Sequence, residues 1–128
     1  MGLLLDTCVF LWLTTEPSRL SQTTTVALDD EQNELFLSDA SIWEITLKHK
    51  AGKLPLPEVP RRWIPDELQF HGIQSVQIVS EAIYLASELP GDHRDPFDRL
   101  IGAHAEFGSF KLVSPDAAFE TLGINCLW

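Results

Sequence analysis

The sequence is short of cations. Nine Lys and Arg stand against nineteen Asp and Glu, a formal net charge of -10 at pH 7. That balance excludes a generally basic nucleic-acid binder, which needs excess cations to meet phosphates. It leaves room for a local basic patch or a cation-charged site. Cysteine is also scarce. Cys8 and Cys126 stand near opposite ends of the chain, with no CxxC spacing, so a disulfide framework and a thiolate zinc site are excluded. Both are expected to be reduced and buried as small apolar side chains. Long hydrophobic runs are missing as well. The apolar start, Met1 to Leu13, is interrupted by Asp6 and has no basic leader, so neither a signal peptide nor a membrane span is expected. Met1-Gly2 lacks the Ser or Thr at position 6 that myristoylation requires. No repeat or low-complexity tract is visible. A soluble, cytoplasmic protein is the expectation.

What is present suits a globular fold. The 128 residues are 45% apolar, enough for a single domain over 1–128 with a core of its own. Leu3-Leu4-Leu5 reads as a buried strand ending at Asp6, followed by a helix from Val9 to Leu13. Ser21 is placed to cap a polar helix that ends near Asn33. Leu35-Phe36-Leu37 reads as a second strand, and Ser38 or Asp39 caps a helix running to Ala51 before Gly52. Pro55, Pro57 and Pro60 punctuate the next segment. An amphipathic stretch around Trp63, Ile64, Leu68 and Phe70 ends at Gly72. A third strand is expected over Val76–Val79 and a helix from Ser80 through Ala86. Asp95-Pro96 opens another helix, closed at Gly108. Lys111–Val113 is a short strand, Asp116–Leu122 a short helix, and Ile124–Leu127 closes the chain. Strands alternating with helices predict an α/β fold with a mostly parallel sheet covered on both faces. Such sheets bind ligands beyond the carboxyl ends of their strands.

Acids recur at those ends. Asp6 follows the first strand, Glu44 lies early in the helix after the second, and Asp116 lies just beyond Val113. Asp95 and Asp98 open the helix before that last strand. Each has an ordinary alternative role as a turn residue, an N-cap or an acid complementing a helix dipole. Asp95 with Asp98 also resembles a capping box. Together they would repel: two unit charges 4 Å apart cost about 4 kcal/mol at an effective dielectric near 20. Either some are protonated or a cation shares the site. All-oxygen donors suit a hard cation, Mg²⁺ or Mn²⁺, and such an ion can promote phosphodiester cleavage.

Four segments resemble the motifs of PIN-domain ribonucleases. They are Leu4-Leu5-Asp6-Thr7-Cys8-Val9-Phe10-Leu11-Trp12, then Ser41-Ile42-Trp43-Glu44-Ile45 with Gly52-Lys53-Leu54, then His93-Arg94-Asp95-Pro96-Phe97-Asp98-Arg99-Leu100-Ile101, and Val113-Ser114-Pro115-Asp116. The third takes the form found in VapC-like toxins of type II toxin–antitoxin systems. The resemblance implies a PIN-like α/β/α sandwich. It also implies Mg²⁺- or Mn²⁺-dependent cleavage of RNA, leaving 5′-phosphate and 3′-hydroxyl ends. Carried over by position, the catalytic and metal-site acids are Asp6, Glu44, Asp98 and Asp116. Asp95 is then an accessory acid or the N-cap, and Thr7 and Ser114 are supporting hydroxyls. Cys8 stands where Asn or His is common. The resemblance further implies a homodimer and a small antitoxin that blocks the acidic cleft, often with an Arg or Lys.

Alternatives from other classes are a PIN nuclease of RNA processing, a non-catalytic PIN-like binding module, and a phosphoacceptor signalling domain. The last needs adjacent acids after the first strand, where Asp6 is followed by Thr7 and Cys8. Among the remaining residues, His93 beside Arg94 is a candidate phosphate contact. Trp12 and Trp43 are expected in the core or an interface, and Trp63 on a partner-facing surface. The cations are not evenly spread: Lys48, Lys50, Lys53, Arg61 and Arg62 lie within residues 48–62 with Glu58 the only acid, so that segment carries +4 and the rest -14. With screening beyond about 8 Å, RNA would meet the patch rather than the total. Lys50, Lys53, Arg61, Arg62, Arg94 and Arg99 are the candidate RNA-binding residues, with Lys48 and Lys53 alternatively finishing a helix.

Overall fold

The computed structural model describes all 128 residues. Five parallel strands form one sheet in the order β3-β2-β1-β4-β5: β1 Gly2–Leu5, β2 Glu34–Ser38, β3 Ile73–Val76, β4 Lys111–Val113 and β5 Cys126–Leu127. The helices are α1 Thr7–Thr15, α2 Gln22–Asp29, α3 Asp39–Lys50, α4 Pro60–His71, α5 Ser80–Glu88, α6 Pro96–Phe107 and α7 Ala118–Thr121, with a 3₁₀ turn at Pro17–Arg19. The expected α/β architecture is present.

Leu3, Leu4 and Leu5 of the central strand are fully buried, as in a strand covered on both faces. Its side chains alternate between two cores. Leu4 packs with Leu112, Leu100, Ile101, Phe119 and Leu122 on the face covered by α5, α6 and α7. Leu3 and Leu5 pack with Leu37, Val113, Val9, Phe10, Trp63 and Ile64 on the face covered by α1 and α4. Each buried Leu contributes roughly 1.5–3 kcal/mol, so a charge at Leu4 would break both sheet and helix packing.

Local signals act where the sequence places them. Ser21 accepts from the Thr24 N–H at 3.0 Å to cap α2. Ser38 caps α3, accepting from Ala40 N–H at 2.9 Å. Pro96 takes the first helical position of α6 under the Asp95 cap. Gly72 ends α4 at φ 64°, a left-handed conformation glycine adopts without strain.

Several expectations are corrected. β3 runs over Ile73–Val76, not Val76–Val79, because its register against β2 pairs Leu35 with Ile73 and Ser38 with Val76. Trp63 is not on a surface; it is buried with Phe10 at a ring separation of 5.9 Å. Trp43 lies outside this chain's core, half-exposed and edge-on to Phe97, which leaves the interface alternative. Phe70 points away from the apolar face of α4, 82% exposed. Cys8 and Cys126 are free but only half-buried. The short helix after Asp116 is confined to Ala118–Thr121.

Candidate functional site

β1 is the switch point of the sheet, with β2 on one side and β4 on the other. The chain leaves the carboxyl end of β1 at Asp6, whose N–H still bonds Val113 O at 3.0 Å. Asp6 therefore sits in the crevice where such folds bind ligands. Its carboxylate is buried, and both of its oxygens accept hydrogen bonds. Oδ1 accepts from Thr7 N–H at 2.8 Å, and Oδ2 accepts from the Ser114 hydroxyl at 2.7 Å and the Cys8 thiol at 3.5 Å. Burial raises its pKa above the ordinary carboxylate value against these bonds, with the charge of Glu44 adding to the rise. The Cys8 thiol is pushed up by burial and by the charge of Asp6, which keeps it a weak donor rather than a nucleophile.

Glu44 lies on the second turn of α3, buried, with Oε2 2.6 Å from Lys48 Nζ one turn further on. Asp95 caps α6 through Oδ1, accepting from Phe97 N–H at 2.9 Å and Asp98 N–H at 3.4 Å. Asp98 does not close a capping box. It turns instead to His93, with Oδ2 2.7 Å from Nε2. Burial pushes the Asp98 carboxyl up to about 6, with Asp95 and Asp6 adding to the rise and His93 opposing it. Asp116 is exposed, follows β4, and receives the Ala118 N–H at 2.9 Å. Its own N–H donates to Ser114 Oγ at 3.0 Å, so Ser114 links Asp116 to Asp6.

The four expected acids and Asp95 line one cleft of about 260 Å³, together with Thr7, Cys8, Leu11 and Lys48. Five carboxylates thus face one ammonium. Two residues not singled out from the sequence hold this frame. Ser41 accepts the Thr7 hydroxyl hydrogen bond at 2.9 Å, tying α1 to α3. His104 Nδ1 lies 2.7 Å from Ser38 Oγ, tying α6 to the start of α3. Buried hydroxyls one turn from acids were the signal for Ser41; a lone helical His gave none for His104.

The cations divide. Lys50, Lys53, Arg61, Arg62 and Arg94 are exposed, the first four around the connection from α3 to α4. Arg99 is not free for phosphate. Its guanidinium donates to the carbonyls of Ala86, Leu89, Gly91 and His93, which engages four of its five N–H groups. His93 is likewise paired to Asp98 rather than free in a loop.

The PIN domain family profile matches residues 3–125 of the chain. Ribonuclease VapC22 of Mycobacterium tuberculosis is 30% identical over 116 residues, 88% of this chain and 85% of that protein. Ribonuclease VapC16 of the same organism is 34% identical over 55 residues. That match spans 43% of this chain and only 39% of VapC16, well under half its length. Among solved structures, the fold matches a chain of VapBC2 from Rickettsia felis bound to a promoter DNA fragment. That match has a TM-score of 0.74 at 16% identity, over 100% of this chain and 98% of that one. A chain of FitAB bound to an IR36 DNA fragment matches with a TM-score of 0.62 at 16% identity, over 98% and 93%.

Proposed function

The chain belongs to the PIN domain family, with VapC-like relatives, and from that premise we propose that it is a Mg²⁺- or Mn²⁺-dependent endoribonuclease, the toxin of a type II toxin–antitoxin pair. The observation that carries the reading is the cleft itself: Asp6, Glu44, Asp98 and Asp116 converge from four separate segments on one hollow where Lys48 is the only lining cation. The donor set fits a hard divalent cation, since carboxylate oxygens dominate it and the five acids outnumber the one lining cation.

In this reading Asp6, Glu44 and Asp98 hold the ion, and Asp116 holds the same ion or aligns a second. When bound, the cation offsets the carboxylate charge and acts as a Lewis acid toward the phosphodiester. The protein's own residues do the positioning. Thr7 N–H, Ser114 and Cys8 fix the rotamer of Asp6, and Asp116 at the exposed rim orients a water toward the phosphorus. Asp95 serves as the cap of α6 and adds negative charge beside Asp98. Lys50, Lys53, Arg61, Arg62 and Arg94 form the approach for RNA phosphates.

The partner of this site is a small antitoxin. VapBC2 and FitAB are complexes in the solved structures, and a cationic side chain entering five carboxylates would replace the ion electrostatically. A homodimer and a cytoplasmic location complete the proposal; no helix is long and apolar enough to cross a membrane. Cleavage of a mixed RNA panel with Mg²⁺, with Mn²⁺ and with chelator tests it. Cutting only with a divalent cation is expected, and metal-independent cutting or none at all would refute it.

A further inference from the structure

The loop before α6 is built more firmly than a connector requires. Arg99 binds three of its carbonyls, those of Leu89, Gly91 and His93, and the Ala86 carbonyl in the last turn of α5. Gly91 adopts φ 85°, and a Cβ there would collide with the Thr121 carbonyl oxygen of α7. The loop is therefore locked between α6 and α7, and its last effect is to bring the His93 ring to Asp98. His93 is thus held twice by the same turn of α6: its carbonyl by Arg99, its imidazole by Asp98.

That placement has the spacing of shared ligation. Nε2 and Asp98 Oδ2 lie 2.7 Å apart, whereas two neighbouring donors on an octahedral ion with bonds of about 2.1 Å lie about 3.0 Å apart. Exchanging the shared proton for an ion needs that separation to open by a few tenths of an ångström and the imidazole to turn so that Nε2 aims at the ion. Asp95 completes the group, with donor atoms of all three residues within 4.8 Å of one another. Its Oδ1 caps the helix, and its Oδ2 makes no hydrogen bond within the protein. Mg²⁺ takes oxygen ligands almost throughout. Mn²⁺ accepts the same carboxylates and, as a first-row transition ion, imidazole nitrogen as well.

We propose that His93 Nε2 joins Asp98 as a donor to the cation and so biases the site toward Mn²⁺ over Mg²⁺. The inference rests on the metal-dependent reading above and names the ion that reading leaves open. Arg99 and Gly91 are positioning residues for this donor.

Pulsed EPR of the full chain loaded with one equivalent of MnCl₂ tests it. The expected spectrum carries the coupling of a directly bound imidazole nitrogen, lost in His93→Gln and retained in His49→Gln. Calorimetric titration is expected to show the Mn²⁺-over-Mg²⁺ preference falling about tenfold in His93→Gln. The wild-type spectrum decides even if that variant folds poorly. Bound Mn²⁺ with oxygen ligands only overturns the inference while leaving the nuclease reading intact. A nitrogen coupling without RNA cleavage under any divalent ion upholds the donor and overturns the nuclease. No uptake of Mn²⁺ overturns the inference, and no uptake of either Mn²⁺ or Mg²⁺ overturns both.

Discussion

Ser114 donates its hydroxyl hydrogen to Asp6 Oδ2 at 2.7 Å, joining residues 108 apart in sequence. Both are buried. Ser114 also accepts from Asp116 N–H, so one hydroxyl sets two of the four acids. Ser114→Ala leaves Asp6 without its shortest partner. It is expected to lower stability by about 1–3 kcal/mol and metal affinity by about tenfold or more. Urea unfolding and calorimetric metal titration measure these; unchanged values in both would remove Ser114 from the site.

Arg99 spends its charge on the fold. Arg99→Lys keeps the charge but cannot reach carbonyls at positions 86, 89, 91 and 93 together. A loss of about 2–3 kcal/mol is expected, with little change in the salt dependence of RNA binding. A large drop in salt dependence with full stability would return Arg99 to the RNA-contacting set.

His104 gives the fold an acid-side weakness. It is buried, its Nε2 finds no partner, and burial lowers its pKa below 6.5, with Asp39 partly opposing. The unfolded chain therefore takes up this proton at higher pH than the folded one. The neutral form's contribution is fully present above about 6.5 and is lost as pH falls below it. Urea midpoints at pH 7 and pH 5 are expected to differ more for the wild type than for His104→Gln; equal differences would show that His104 does not titrate this way.

The basic approach is separable from the acids. Lys50, Arg61 and Arg62 are exposed and away from the cleft lining. Replacing all three by Gln is expected to weaken RNA binding and reduce the slope of log K against log salt by about 2, at roughly 0.7 per phosphate contact on a single strand. An unchanged slope would refute the patch.

Much of this was legible in the sequence, for physical reasons. Leu3-Leu4-Leu5 stopping at Asp6 marks a doubly buried strand and the residue that leaves it. Asp95-Pro96 and Ser38 announce helix starts because caps and N-terminal proline act locally. The acids could be gathered because strand ends in a parallel sheet share one edge. What stayed hidden depends on tertiary packing. Ile73-Gln74-Ser75-Val76 and Val76-Gln77-Ile78-Val79 both suit a short edge strand, and only pairing with β2 chooses between them. Trp63 lies among prolines, which suggest surface, yet Pro60 starts a helix that turns the indole onto Phe10. An Arg within an acidic motif reads as a phosphate contact until the carbonyls of α5 and the following loop that surround it are in place.

The proposed cation-dependent cleavage depends on Asp6. Asp6→Asn keeps an acceptor for Thr7 N–H and the volume of the side chain, so the fold should survive, as judged by circular dichroism and the urea midpoint. RNA cleavage by this variant with Mg²⁺ or Mn²⁺, measured beside the wild type, is expected to fall by at least about a hundredfold. Undiminished cleavage by a folded Asp6→Asn protein would contradict it.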